Sequence, residues 1–181
     1  ANSFDDYWTS LAIRTLEWLT GKFTILRMVS KFEKTNADYR GNNFWRGALD
    51  VMGIELQTPE DQIMRIPETG PVVVVANHPH GMVDGMIFAE LIGRRRLDYR
   101  ILTRSVLTGL DEAATSFMIP VPFPHDPEAQ RKMVEMRASA MAHLKAGGVV
   151  ALFPSGVVMS SDSWFGPAVE REWNVFTAQL I

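Results

Sequence analysis

The segment from Ala76 to Gly85 brings together side chains that could perform acid–base chemistry. It reads Ala-Asn-His-Pro-His-Gly-Met-Val-Asp-Gly and contains His78, His80 and Asp84. An imidazole accepts a proton near neutral pH, and a carboxylate bound to its other nitrogen fixes the tautomer and stabilises the imidazolium. The segment therefore predicts a catalytic base with an orienting acid, which would activate a bound hydroxyl or amine.

The rest of the sequence favours direct attack by the substrate over a covalent enzyme intermediate. The chain has no cysteine, and no Gly-x-Ser-x-Gly segment occurs in it. The simplest scheme is that the base deprotonates the nucleophile of the acceptor, which then attacks the donor.

Two other classes of function fit part of the pattern. His78-Pro79-His80 is a His-x-His pair, and Asp84 could complete a ligand set, as in a metal-dependent hydrolase. The metallo-β-lactamase pattern His-x-His-x-Asp-His is not met, because Met82 and Val83 stand where it needs aspartate and histidine. A non-catalytic membrane-associating module is the third possibility, suggested by the N-terminal segment described below.

Two apolar runs are placed to carry the chemistry. Val72–Val75 leads directly into the histidine segment, and residues 149–153 open into Pro154-Ser155-Gly156. Open α/β sheets place their sites beyond the carboxyl ends of their strands. We therefore expect both strand ends to face one cleft.

The order of the predicted elements indicates an α/β fold with a mostly parallel central sheet flanked by helices. The prolines at 120 and 122 make their run an edge strand, and Asp126-Pro127 begins a helix that ends at Gly147-Gly148. The expected strands cover residues 54–57, 72–76, 99–103, 117–123 and 149–153, and the expected helices cover 44–52, 85–92, 126–146 and 167–180.

We divide the chain into an amphipathic helical segment, residues 1–45, and an α/β domain, residues 46–181. In the first, aromatic and aliphatic residues recur every three or four positions among lysines and arginines. Such a helix can lie in a membrane interface or pack on its own domain, and periodicity does not decide between these. No strand follows the last predicted helix, so we expect the domain to be incomplete at its C-terminus.

Composition restricts the class of protein further. The chain has 181 residues, of which 46% are hydrophobic, enough for one domain with a core. Its formal net charge of -3 argues against non-specific nucleic-acid binding, which requires a basic surplus. No apolar stretch reaches the roughly 18 residues of a transmembrane helix, so we do not expect the protein to span a bilayer.

Two segments resemble sequence blocks of the glycerophospholipid acyltransferases. Asn77-His78 with Asp84 resembles Asn-His-x-x-x-x-Asp, and residues 153–156, Phe-Pro-Ser-Gly, resemble Phe-Pro-Glu-Gly. Five residues instead of four separate His78 from Asp84, and Ser155 stands where most members carry glutamate. Both departures look like the haemolysin-like and ornithine-lipid branch. Arg104 and residues 117–121 are loosely similar to a further block.

The resemblance implies an O-acyltransferase that moves a fatty acyl group from acyl carrier protein or acyl-CoA to the hydroxyl of a lysophospholipid or lyso-aminolipid. It implies peripheral association with the cytoplasmic face of a membrane, and no metal or cofactor beyond the thioester co-substrate. His78 would be the general base and Asp84 its orienter, with His80 as the rival base. The substrate would be bound by Asn77, His80, Gly81, Arg104, Phe153, Pro154, Ser155 and Gly156.

One basic run has two interpretations. Arg94-Arg95-Arg96 follows a predicted helix, where cations complement the helix dipole. Arginine also pairs well with phosphate, so the run could instead receive the phosphate of an acyl carrier.

Overall fold

Four parallel strands form the central sheet of the computed structural model, which describes residues 30, 43–104 and 115–180. Their order across the sheet is β1-β4-β2-β3. In chain order they are β1 (Val72–Val75), β2 (Tyr99–Arg104), β3 (Met118–Val121) and β4 (Val149–Leu152). The helices are α1 (Asn43–Met52), α2 (Glu60–Ile63), α3 (Met82–Gly93), α4 (Ala129–Lys145) and α5 (Phe176–Gln179).

Helices cover both faces of the sheet, and this explains why β4 is apolar at every position. Val149 and Ala151 pack with side chains from α1 and α3, whereas Val150 and Leu152 pack with side chains from α4. All four residues of β4 are buried. A strand covered on both faces is expected to be a continuous hydrophobic run, as this one is.

The predicted α/β class with a parallel sheet is confirmed. β1, β2 and β4 lie within one residue of their predicted ends, and β3 lies at an edge of the sheet, as its prolines require. Helices α1 and α4 form where expected, and α3 begins three residues earlier than predicted, at Met82. The predicted N-terminal helical segment, residues 1–45, falls outside the described residues, apart from Ser30 and the first three residues of α1.

Two predicted elements are wrong. Residues 54–57 form no strand, because the Ile54 N–H donates to Leu49 O and closes the end of α1. The predicted helix over residues 167–180 is reduced to α5. Val169 pairs with Ser160 instead, and the Asn174 side chain accepts the N–H of Phe176, the first residue of the short helix.

Arg96 connects the loops at the amino ends of the strands. Its buried guanidinium donates to Gly70 O at 3.0 Å, before β1, and to Gly147 O at 2.6 Å, before β4. It also donates to Pro67 O and forms two bonds with Asp98, which precedes β2. This arginine therefore joins three loops and is not available to a phosphate.

The two neighbouring arginines are also paired within the protein. Arg94 pairs with Glu90 and Arg95 with Glu68, near the amino ends of the strands and opposite to the histidine segment. The phosphate interpretation of the basic run is therefore not supported.

Arg96→Met should lower the free energy of unfolding by about 3 kcal/mol, because it leaves the loop carbonyls and a carboxylate without their donor. Arg95→Met, which removes an arginine whose partner Glu68 is mostly exposed, should cost under about 1 kcal/mol. Denaturant titration of both variants measures the difference. Equal losses would contradict the role assigned to Arg96.

The same network should make stability depend on pH. The Arg96 guanidinium lowers the pKa of the Asp98 carboxyl. A carboxyl with a depressed folded-state pKa stabilises the fold above its unfolded pKa and loses that contribution as the pH falls through the folded value. The extra loss caused by Arg96→Met should therefore be largest near pH 7 and smaller below about pH 4.

Within residues 43–104 and 115–180, the structure contains no helix of the length and hydrophobicity needed to cross a membrane.

Candidate active site

Neighbouring strands bring the two motif segments together. β1 and β4 pair in register, with Val75 opposite Leu152, so the residues that follow each strand emerge side by side. The ring of His78 stacks on the ring of Phe153, with centroids 4.0 Å apart and planes 13° from parallel. Phe153 stacks in turn on Phe88 of α3. The plane of the imidazole is therefore fixed by aromatic packing that extends into the core.

Asp84 lies in the first turn of α3 and is bound by both histidines. Its Oδ2 lies 3.0 Å from His78 Nδ1 and accepts the backbone N–H of His80 at 2.8 Å. Its Oδ1 lies 3.3 Å from His80 Nδ1. An ionised carboxylate only accepts hydrogen bonds, so His78 Nδ1 must carry the proton. The lone pair of a neutral His78 is then on Nε2, the nitrogen that can accept a proton from a substrate.

Gly81 makes the turn that places Asp84. Its φ of 69° and ψ of -126° lie in a region that side-chain-bearing residues rarely adopt. The Asp84 N–H donates to Gly81 O at 3.1 Å, so the turn leads directly into the helix. The helix N-terminus also favours a negative charge at Asp84.

Burial distinguishes the two histidines. The His78 side chain is 17% exposed and the His80 side chain 71% exposed, against 9% for Asp84. His78 lines the large cavity beside the strand ends, whereas His80 does not. Both imidazoles lie within hydrogen-bonding distance of the same carboxylate, so the contact with Asp84 does not distinguish them. Their burial and their position relative to the cavity do.

The cavity has a volume of about 560 Å³, within the usual range of about 300–1,000 Å³ for small-molecule sites. Its wall comes from the carboxyl ends of β2, β3 and β4, the first half of α4 and α5. The apolar lining includes Ile101, Leu102, Val121, Phe123, Met133, Met136, Leu152 and Phe176. It can accommodate an apolar chain next to the imidazole.

Most of the predicted substrate contacts lie around this cavity, namely Gly81, Arg104, Phe153, Pro154, Ser155 and Gly156. Asn77 is exposed, and neither it nor His80 is among the lining residues. The Ser155 hydroxyl donates to Val157 O within its own turn.

Two arginines lie at the cavity. Arg104 donates to Pro122 O at 2.9 Å and to Gly156 O at 3.3 Å, and so connects β2 to the turn after β4. The second, Arg137, is not distinguished by the sequence pattern; it lies on α4 with its guanidinium 5.1 Å from the centre of the Phe176 ring. Only the cavity shows that this helix residue is close to the strand ends.

Glu170 is a second carboxylate next to His78 that the sequence analysis missed. Its Oε2 accepts the backbone N–H of His78 at 3.2 Å across 92 residues of chain, and the N–H of Met159 donates to His78 O at 2.8 Å. Its other oxygen is buried and has no hydrogen-bond partner in the described part of the chain. The contact between Glu170 and His78 was not predicted, because Glu170 would lie on the exposed surface of the predicted helix over residues 167–180.

Glu170→Ala should reduce kcat/KM by about tenfold or more, since small displacements of a catalytic group can cost up to about 100-fold. Glu170→Gln keeps a carbonyl acceptor for the His78 N–H and should retain most of the activity. Glu172→Ala, at an exposed neighbouring acid, serves as the control. Steady-state rates for the three variants, with circular dichroism to confirm folding, test this. Equal activity of the Ala and Gln variants at position 170 would contradict the positioning role.

The structure lends no support to the alternative of a metal-dependent hydrolase. Across the described ranges, no three histidine or acidic side chains form a group that could hold a metal ion. In particular, Asp84 lies between the two histidines as a hydrogen-bond partner.

A histidine–carboxylate pair at the carboxyl edge of a parallel sheet, open to an apolar cavity, is a site suited to acid–base chemistry on a substrate with an apolar part. A family model described as Acyltransferase matches residues 59–178, a range that contains the whole sheet and every residue of the site. The chain therefore belongs to the acyltransferase family, and acyl transfer in general is its chemistry. No curated protein and no solved structure matches the chain.

Proposed function

We propose that this protein transfers a fatty acyl group from acyl-CoA or acyl carrier protein to the hydroxyl of a lysophospholipid or lyso-aminolipid. The observation that carries the proposal is the His78–Asp84 pair, 3.0 Å apart, at an apolar cavity of about 560 Å³ in an acyltransferase domain. The base and the space for an acyl chain are adjacent.

In this mechanism, His78 Nε2 takes the proton of the acceptor hydroxyl while Asp84 stabilises the resulting imidazolium. The acceptor oxygen attacks the thioester carbonyl and forms a tetrahedral oxyanion. Collapse of this intermediate forms the ester and breaks the carbon–sulfur bond. The leaving thiolate then receives the proton from His78, so the enzyme returns to its initial state without a covalent intermediate.

The oxyanion requires a hydrogen-bond donor. Backbone amides near Gly81 and Gly156, beside the two motif segments, are candidates for this donor. Because the Gly156 N–H already donates to Phe153 O at 2.9 Å, we favour the amide near Gly81.

Charge supports an acyl donor that carries a phosphate. Arg104 and Arg137 both line the cavity, and arginine pairs readily with phosphate oxygens.

Ser155 provides no carboxylate for an acceptor hydroxyl. This departure from the glutamate of most family members favours an acceptor other than the usual glycerol phosphate, such as a lyso-aminolipid.

The direct test is to incubate the full-length protein with a panel of lysolipids and with both acyl-CoA and acyl carrier protein thioesters, and to identify products by mass. We expect one donor–acceptor combination to give an ester and free thiol in equal amounts. Treatment with a chelator should leave the rate unchanged, because the proposed mechanism uses no metal. No product with any combination would refute the proposal.

We further propose that the protein works at the cytoplasmic face of a membrane, as a peripheral protein. The thioester donors are water-soluble, whereas the lysolipid acceptors reside in the membrane. An enzyme joining the two must therefore operate at the interface.

A further inference from the structure

The loop between β4 and α5 exposes two large aromatic side chains. Residues 160–169, which we call the apex loop, are closed by an antiparallel bridge between Ser160 and Val169. The N–H of each residue donates to the carbonyl of the other, at 3.4 and 3.1 Å. At the tip of this loop, Trp164 is 99% exposed and Phe165 is 102% exposed. The two rings therefore project into solvent with almost no contact to the protein.

The base of the apex loop is attached to the catalytic segment. On one side, Met159 donates its N–H to His78 O, and on the other the Glu170 carboxylate accepts the His78 N–H. Val158, just before the loop, lines the cavity and lies 3.6 Å from the position that a Cβ would take at Gly81. The tip is thus held in a defined place beside the cavity.

Further large hydrophobic side chains are exposed close to the apex loop in the chain and at the cavity. Large hydrophobic side chains are exposed on the same stretch of chain and on the first residue of α3, at Met82, Val158, Val169, Trp173 and Val175. Met82 and Val158 also line the cavity. Exposed large hydrophobic side chains concentrated in this way, which we call the apolar patch, mark an interaction surface.

The protruding tip of the apolar patch indicates a lipid surface, and not a protein, as the partner. A protein partner usually receives hot-spot aromatics in a matching pocket, whereas Trp and Phe at a protruding tip are suited to the boundary between lipid headgroups and acyl chains. Some backbone groups at the tip also form hydrogen bonds within the loop, as an apolar environment requires. Ser161 Oγ donates to Ser163 O and accepts the Ser163 N–H, and the Gly166 N–H donates to Ser163 O.

Charge specifies the kind of lipid. Residues 157–175 contain three acids, Asp162, Glu170 and Glu172, and one base, Arg171, which gives a formal charge of -2. Attraction to anionic headgroups therefore does not drive contact through the apex loop and the residues that flank it. Its apolar side chains suit a zwitterionic surface, where the binding energy comes from buried apolar area.

We propose that the apex loop inserts Trp164 and Phe165 into the interfacial layer of a zwitterionic lipid surface, and thereby places the cavity and His78 at the membrane. The proposal rests on the proposed function and extends it by assigning the membrane contact to a particular loop. The contact itself is measured without any acyl transfer, so the two proposals can fail separately.

The experiment compares the full-length wild type with the double variant Trp164→Ser/Phe165→Ser in sedimentation with phosphatidylcholine vesicles. We expect the double variant to bind at least about tenfold more weakly, because two buried aromatic side chains are lost. The matched control is Leu97→Ser/Val134→Ser, which removes two exposed apolar side chains outside the loop and should bind as the wild type does. Thermal unfolding of each variant verifies that it folds.

The N-terminal segment is the same in all variants, so a difference in binding between them reports on the apex loop. Salt in addition separates apolar insertion from attraction by basic residues. Apolar insertion should persist at about 0.5 M salt on neutral vesicles, whereas basic residues act on anionic lipids and are screened. Absence of wild-type binding to neutral vesicles, or equal binding of the wild type and the aromatic double variant, would overturn the proposal.

Activity gives a second readout. The aromatic double variant should acylate a water-soluble short-chain lysolipid at the wild-type rate but lose at least about tenfold in rate on a vesicle-embedded acceptor. Equal loss on both acceptors would overturn the proposal, since the loop would then affect the site itself. Vesicle binding that depends on Trp164 and Phe165, in a protein inactive on every lipid, would support the apex loop and refute the proposed function.

Discussion

Replacing His78 by alanine is expected to lower kcat/KM for acyl transfer by about 100-fold to 10,000-fold, the usual contribution of general acid–base catalysis. The reason is the position of the ring. Its Nδ1 is occupied by Asp84 and its plane is held against Phe153, so Nε2 is the nitrogen available to the acceptor hydroxyl. Initial rates over a range of acceptor concentrations should show the loss mainly in kcat, with the donor at saturation.

His80→Ala is the matched control for this prediction. His80 also lies within hydrogen-bonding distance of Asp84, but its side chain is mostly exposed and does not line the cavity. Because its backbone N–H still reaches Asp84 after the substitution, we expect a loss of less than about tenfold. A larger loss from His80→Ala than from His78→Ala would assign the base to His80.

Asp84→Asn is expected to reduce the rate by about 100-fold to 10,000-fold, although the side chain keeps its shape. If the amide N–H turns toward His78 Nδ1, the imidazole carries its proton on Nε2 and cannot accept the proton of the acceptor. If the amide oxygen keeps that position, the tautomer is correct but the negative charge that stabilises the imidazolium is gone. The comparable substitution in a serine-protease triad costs about 10,000-fold through the wrong tautomer.

Stability separates this effect from misfolding. The substitution Asp84→Asn is isosteric, and an amide oxygen can still accept the His80 N–H, so the free energy of unfolding should change by less than about 2 kcal/mol. Asp61→Asn, at an exposed acid on α2, provides the baseline for removing a carboxylate. A rate for Asp84→Asn close to that of the wild type would show that Asp84 is not the residue that orients and stabilises the base.

The sequence alone predicted the parts of this protein that depend on local patterns. Continuous apolar runs identified β1 and β4, and the prolines near β3 required an edge position. Asp126 and the Gly147-Gly148 pair bracketed α4 correctly to within a few residues. The pairing of His78 with Asp84 was likewise predicted, because both lie in one short stretch between a strand and the first turn of a helix.

Only the tertiary structure decided which histidine faces the cavity. His78 and His80 both reach Asp84, so the difference between them is burial, which arises from the stacking of His78 on Phe153. That contact exists because β1 and β4 are neighbours in the sheet, although α3, β2, β3 and α4 lie between them in the chain. Sequence spacing contains no direct information about such pairing.

The same reason accounts for the residues that were missed or misassigned. Arg96 was interpreted as a cation at a helix end or as a phosphate ligand, but it is buried among the carbonyls of the loops before the strands. Glu170 was assigned to a helix, but it reaches the backbone of His78. Each is determined by contacts between segments distant in the chain. At such positions the local preference for helix or strand predicts little, because hydrogen bonds and burial that form only in the folded state outweigh it.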